Sequence, residues 1–256
     1  MNDYLIFRLY GALASWGDIA VGDIRPSYRY PSKSSVIGLI AAALGIARDK
    51  HEKQTELAKL FFSVKIDALG SPIEDYHTIQ TPSEQAIKND RTKPFWTRID
   101  EIEAIKWRVI QSQNNTEAGA IQSRRTYYCD AIYTVALCEN ESNRINWRSL
   151  DLHSIQSLIP FLREPQFVLY LGRKSCPLGL PLEPQVKMAK NCISAFQQAE
   201  FKIVENLKPL LNRTTMIQYY SEEELEYSQM KVTRRDQPVN RTTWQFTERD
   251  EYYFSE

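Results

Sequence analysis

Tyr4-Leu5-Ile6-Phe7-Arg8-Leu9 is a largely apolar run rich in aromatic and branched side chains that Gly11 ends, and it predicts a central strand. Tyr10 to Gly22 reads as a loop carrying Trp16 beside Gly17. Apolar residues then recur with helical period at Val36, Ile37, Leu39, Ile40, Ala43 and Leu44, which predicts a helix from about Ser34 to Ile46. Leu57, Leu60 and Phe61 predict a second from about Glu52 to Phe61. Val64, Ile66 and Ala68 alternate with polar neighbours as a half-buried strand stopped by Gly70-Ser71-Pro72, and Tyr76 to Ile79 reads as a short strand. Tyr127 to Leu137 predicts one long strand, Leu150 to Leu162 a helix, and Phe167 to Tyr170 a strand. A helix near Val186 to Phe201 follows, then strands near Met216 to Tyr219 and Tyr227 to Val232 and a terminal run from Trp244 to Phe254.

In order, the first elements are strand, helix, strand, strand, helix, strand, with the second helix and the segment from Gln80 to about Thr126 as insertions. That is the order of the ferredoxin-like α+β fold used by RNA-recognition modules. The inserted segment is polar and weakly patterned, with Pro82, Pro94, Asn114-Asn115 and Gly119 among scattered aromatics at Phe95, Trp96 and Trp107. So long a stretch without periodicity reads as a functional loop or projecting arm, and a hairpin within it places one arm near Ile102 to Ile110. Residues 1–180 are read as one domain with the arm at about 80–126, and residues 181–256 as a smaller C-terminal α/β extension packed on it.

Composition narrows the picture. The 256 residues are 43% hydrophobic, enough to fill a core, so disorder is not expected over most of the length. Formal net charge is zero, so any polyanion site must come from local clusters, which occur at Arg25/Arg29/Lys33, Arg124/Arg125, Arg173/Lys174 and Arg234/Arg235. Glu222-Glu223-Glu224 with Glu226 reads as a solvated acidic loop. Cys129, Cys138, Cys176 and Cys192 lack C-x-x-C spacing and His51, His77 and His153 lie far apart, so neither a zinc site nor a disulfide framework is indicated and no cofactor is expected. The chain shows no signal-peptide pattern and no apolar run of the roughly 18–20 residues that span a membrane, which predicts a cytoplasmic protein without membrane contact.

Two stretches carry candidate chemistry. In the first, the basic, aromatic turn Arg25-Pro26-Ser27-Tyr28-Arg29-Tyr30-Pro31 runs into Ser32-Lys33-Ser34-Ser35 at a helix start. Ser32 or Ser34 can cap that helix, and its first-turn N–H groups and dipole suit an anion such as phosphate. A capped helix with a solvated basic loop is the plainer reading. In the second, Leu171-Gly172-Arg173-Lys174-Ser175-Cys176-Pro177-Leu178 offers a positive-φ turn at Gly172 that presents two cations beside backbone N–H groups. It lacks the second Gly and the Gly-Lys-Ser/Thr ending of a Walker loop.

The segment from Arg25-Pro26 to Ile46, with Tyr30-Pro31-Ser32-Lys33-Ser34 and Gly38-Leu39-Ile40, resembles the Cas-five family of CRISPR-associated proteins in its type I-E Cascade form. Asp75-Tyr76-His77-Thr78, Tyr128-Cys129-Asp130-Ala131 with Thr134-Val135-Ala136-Leu137, Tyr170 to Leu178, and Thr233-Arg234-Arg235-Asp236-Gln237-Pro238 agree in the same order. The resemblance implies a ferredoxin-like domain with a projecting thumb, here the Gln80 to Thr126 arm. It also implies binding of the 5′ handle of CRISPR RNA (crRNA), capping of a backbone of Cas-seven subunits beside the large PAM-reading subunit, and contact with target DNA only through the complex. Single-stranded RNA is held by cations on phosphates and by stacking. The expected contacts are therefore Arg25, Arg29, Lys33 and Ser34, Arg124 and Arg125, and Gly172, Arg173 and Lys174, with Trp16, Tyr28, Tyr76 and His77 as stacking candidates. Relatives in other subtypes are metal-independent endoribonucleases that use Tyr, Lys and His. Because Tyr76-His77 lacks an adjacent Lys, a non-catalytic subunit is expected, with a repeat-processing ribonuclease centred on His77 and Tyr76 as one alternative and an assembly protein with protein-only interfaces as another.

Overall fold

The first apolar run forms β1 (Asn2–Tyr10), whose successive side chains serve two cores. Leu5, Phe7 and Leu9 pack into one and Tyr4 and Ile6 into the other. Side chains alternate across a strand, so a strand covered on both faces reads as continuous apolar sequence rather than as alternation. The computed structural model describes residues 1–82, 97–103, 118–139, 144–202, 205–212, 216–240, 243 and 245–256.

The chain divides into two compact units, one of Met1–Trp16, Ser27–Ile73 and Tyr127–Glu256, the other of Gly17–Pro26 and Glu74–Thr126. The first unit is a mixed α/β structure built on an antiparallel sheet. β2 (Leu13–Ala14), β3 (Ile24–Arg25), α1 (Lys33–Ala43), α2 (His51–Ala58), β4 (Phe61–Ala68), β5 (Ser71–Pro82), β6 (Ala118–Cys129) and β7 (Ile132–Cys138) follow β1. After them come α3 (Ile159–Arg163), β8 (Gln185–Ala189), α4 (Cys192–Gln198), α5 (Lys208–Asn212), β9 (Gln218–Ser221), β10 (Met230–Asn240) and β11 (Gln245–Ser255). The large sheet runs β10-β11-β9-β4-β7-β1-β8. β1 lies between β7 and the edge strand β8, with Leu5 opposite Leu137 of β7 on one side and Val186 of β8 on the other. Residues 181–256, read from the sequence as an extension, thus supply four strands of the same sheet as β1.

Three elements depart from the sequence reading. The run from Tyr127 to Leu137 is split between β6 and β7 at Asp130, whose φ of 56° turns the chain back. The helix expected over Leu150 to Leu162 is broken into 3-10 turns at Trp147–Leu150 and Ile155–Leu158 and the short α3, with Asp151 at a φ of 60° between them. Phe167 to Tyr170 is not a strand. The N–H groups of Gln166 and Phe167 instead bond Ala43 O at 3.0 Å and Ala42 O at 3.2 Å, carbonyls of the last turn of α1. Val186, read as a helix start, lies instead in β8. The helix waits for Asn191, whose Oδ1 accepts the Ser194 N–H at 2.9 Å and caps α4.

In the second unit β3 lies parallel to β6, with Ile24 opposite Arg124 and Arg25 opposite Arg125, and β5 also pairs β6. Residues 98–103 are helical, so the start of the hairpin arm expected near Ile102 to Ile110 is a helix, and 104–110 lie outside the described residues. Among the described residues no helix is long and apolar enough to cross a membrane.

Candidate functional site

The start of α1 does not present the open anion site its sequence suggests. Ser32 caps it, accepting the Ser35 N–H at 3.2 Å, as expected of one of the two serines. The Lys33 N–H, however, donates to Asp236 Oδ2 of β10 at 2.8 Å, so a carboxylate of the chain itself occupies the position expected for phosphate. The Lys33 side chain is 4% exposed, with Nζ 2.9 Å from Glu222 Oε1. Burial holds the Lys33 ammonium below its ordinary pKa, against the attraction of Glu222. Lys33 is therefore corrected from a ligand-facing cation to a buried ion-pair member, and Glu222 from a solvated residue to its partner. Reversing the charge at Lys33 sets two carboxylates together in the interior, which disrupts the fold before any surface property is read.

Behind this pair the hairpin β10–β11 supplies more charge. Arg249 Nε lies 2.6 Å from Asp236 Oδ1 and its Nη2 2.8 Å from Glu251 Oε2, while Arg234 lies 3.8 Å from both Asp236 and Glu251. Three cations and three carboxylates thus form one neutral buried group. The Tyr30 hydroxyl donates to Glu251, and burial, aided by Glu251, pushes the Tyr30 phenol pKa well up. The Arg234 guanidinium sits 3.8 Å over the Tyr28 ring and 4.6 Å from the Tyr30 centroid. Arg234, expected in a surface cluster, is therefore interior, and one face of Tyr28 is taken. Trp16 is likewise corrected from stacking to packing: it is 2% exposed and meets Tyr133 edge-on at 5.7 Å.

The second candidate stretch keeps its cations outward. Tyr170 and Pro177 form an isolated bridge, and the Leu171 N–H donates to Cys176 O at 2.7 Å, closing a tight loop. Gly172 has a φ of +84°, and a Cβ there would stand 1.9 Å from Ser15 O. Arg173 is held by a 3.0 Å bond from Nε to Ser15 Oγ and lies 5.5 Å over the Tyr127 ring, whereas Lys174 is exposed. Beside this loop a groove of about 820 Å³ runs between α1 and residues 167–174, lined by Ser34, Gly38, Ala42, Arg48, Gln54 and Lys174 among others. Small residues on the outer side of α1 leave it open. Arg29 is exposed, its backbone carbonyl accepting the Tyr133 hydroxyl at 2.8 Å.

The second unit gathers the other predicted cations. Arg25, Arg124 and Arg125, a hundred positions apart in sequence, sit on the paired strands β3 and β6. Arg124 lies 5.9 Å over the exposed Tyr76 ring and 3.7 Å from Glu74, while the Arg25 guanidinium donates to Gly22 O and Ile24 O. His77 bonds Asp75, two positions back on the same face of β5. Tyr76, between them, faces the other way, so the two residues proposed for a ribonuclease centre do not converge. Among the described residues no group of His, Cys, Asp and Glu is arranged to hold a metal.

Arg48, Gln54 and the exposed Phe167 and Val168 are groove residues that the pattern did not mark. Phe167 and Val168 read as part of a strand, and Arg48 and Gln54 carry no sequence signal of their own.

A family model of CRISPR-associated proteins, Cas_Cas5, matches residues 4–251, and the chain belongs to that family. It is similar to the CRISPR system Cascade subunit CasD of Escherichia coli (strain K12), at 30% identity over 264 aligned positions covering 98% of this chain and 96% of the relative. A chain of a CRISPR RNA-guided surveillance complex superposes with a TM-score of 0.61 at 22% identity, over 98% of this chain and 89% of that one. A Cas protein crystal structure does so at 0.53 and 24% identity, over 99% and 93%. At those identities the two structures speak for the fold.

Proposed function

We propose that this protein is a non-catalytic subunit of a type I-E CRISPR surveillance complex that holds the 5′ handle of crRNA. In this reading it acts in the cytoplasm, caps one end of the Cas-seven backbone beside the large PAM-reading subunit, and meets target DNA only through the complex. The observation that carries the reading is the likeness to a Cascade subunit over 98% of the chain. The outward Lys174 and the pinned Arg173 on the Gly172 loop support it, as do Arg25, Arg124 and Arg125 on paired strands, since cations in groups supply the affinity a neutral chain otherwise lacks for RNA. The antiparallel order β4-β7-β1-β8 supports the ferredoxin-like reading, in which strands run 2-3-1-4, and the grouping of Glu74–Thr126 in its own unit supports the thumb reading. The opposed faces of Tyr76 and His77 favour holding over cutting.

Two measurements test this. Arg29→Glu with Lys174→Glu lowers affinity for labelled repeat RNA about tenfold near 0.1 M salt and reduces the salt slope by about 1.4, the share of two single-strand phosphate contacts. Unchanged affinity and slope reject the handle assignment. Incubated with repeat RNA in EDTA, the protein leaves it intact, and His77→Ala behaves the same. Cleavage by the parent protein that His77→Ala loses would make it a processing ribonuclease instead.

A further inference from the structure

Resting on the RNA-binding reading, we propose that the groove between α1 and residues 167–174 receives one unstacked adenine, read by the side-chain amide of Gln54. Gln54 is 6% exposed, yet it lines the groove, and its Oε1 is buried with no hydrogen-bond partner. A buried acceptor left unpaired is costly and is relieved by any donor brought to it. The walls beside it are apolar, from Leu39, Leu169 and the half-exposed Phe167, and Lys174 stands at the rim where a phosphate of the same nucleotide can lie.

The chemistry selects the base. Adenine offers its 6-amino donor beside a ring-nitrogen acceptor, the pair a carboxamide satisfies in full, and the rest of its edge is C–H that an apolar wall accepts. Uracil offers an N–H flanked by two carbonyls, of which the amide can serve one, leaving the other buried unpaired. Cytosine and guanine likewise carry one group too many.

Fluorescence anisotropy of the full chain with labelled octamers of riboadenylate and ribouridylate tests this. The parent protein binds oligo(A) about tenfold tighter than oligo(U), the discrimination of one bidentate pair. Gln54→Leu erases that ratio by weakening oligo(A) alone, and Ala47→Trp, which plugs the groove from an exposed position, does the same without a folding burden. Lys174→Glu weakens both octamers equally. An oligo(A)/oligo(U) ratio that survives Gln54→Leu and Ala47→Trp overturns the base pocket while leaving RNA binding intact. If both variants keep RNA affinity but lose association with other subunits, the groove is a protein-docking site and the inference also fails. Binding of neither octamer by the parent protein overturns the RNA reading and the pocket together.

Discussion

Asp236→Ala lowers the unfolding free energy by about 3–5 kcal/mol, the cost of leaving buried cations without their counter-charge. Asp236 accepts two bonds from Arg249, at 2.6 and 3.0 Å, and one from the Lys33 N–H at 2.8 Å, and its side chain is 8% exposed. Its removal strands Arg249, faces Arg234 with one carboxylate fewer and uncaps the first N–H of α1. Burial works to raise the Asp236 pKa, but Arg249, Arg234 and the Lys33 N–H together outweigh it and hold the carboxyl below its ordinary value. A carboxyl depressed in the fold stabilises above its unfolded pKa, near ~3.9, and that contribution is lost as pH falls through the folded value. Urea titrations therefore show the full deficit of the variant at pH 7 and a shrinking one below about pH 4. A deficit under about 1 kcal/mol at pH 7 would mean that the buried charges relax to water instead.

The second large effect is expected at Gly172. Alanine there places a methyl 1.9 Å from the Ser15 carbonyl at a φ of +84°, so the loop or the segment from Leu13 to Trp16 must move. The Ser15 N–H donates to Leu171 O at 3.1 Å and the Ser15 hydroxyl holds Arg173, so the movement costs stability and unseats the cation at once. We expect about 2–4 kcal/mol of destabilisation for Gly172→Ala, with a loss of RNA affinity larger than that of Arg173→Ala. A variant that melts with the parent protein and binds equally well would remove Gly172 from the site.

What the sequence made legible followed from local rules. β1, α1 and α2 declare themselves by period and by the Ser32 cap, and the Gly172 turn by its residue type. Phe167 to Tyr170 reads as a strand because it has strand composition, while the N–H groups at its start bond the end of α1; composition carries no record of which carbonyls lie within reach. Lys33, Arg234 and Glu222 were read as solvent-facing because charge usually is. The opposing signal was present: Arg234 and Asp236 on one strand and Arg249 and Glu251 on the next alternate in sign at spacing two, which sets all four on one face of a hairpin. Without the register that places Arg234 opposite Arg249, that alternation has no partner to name. Gln54 could not have been singled out, since a glutamine within a polar helix differs from its neighbours only by what it fails to bond.

The charge group has a consequence in time. Lys33 closes bonds with residues 189 and 203 positions further along, so the start of α1 reaches its final form only once the last hairpin has been made. During synthesis the emerging chain carries that lysine solvated for most of its length, and docking Glu222, Asp236 and Arg249 onto it is a late, long-range step that slows maturation. Phe246 of that last hairpin lines the groove beside α1, so the groove too is complete only once the hairpin has been made.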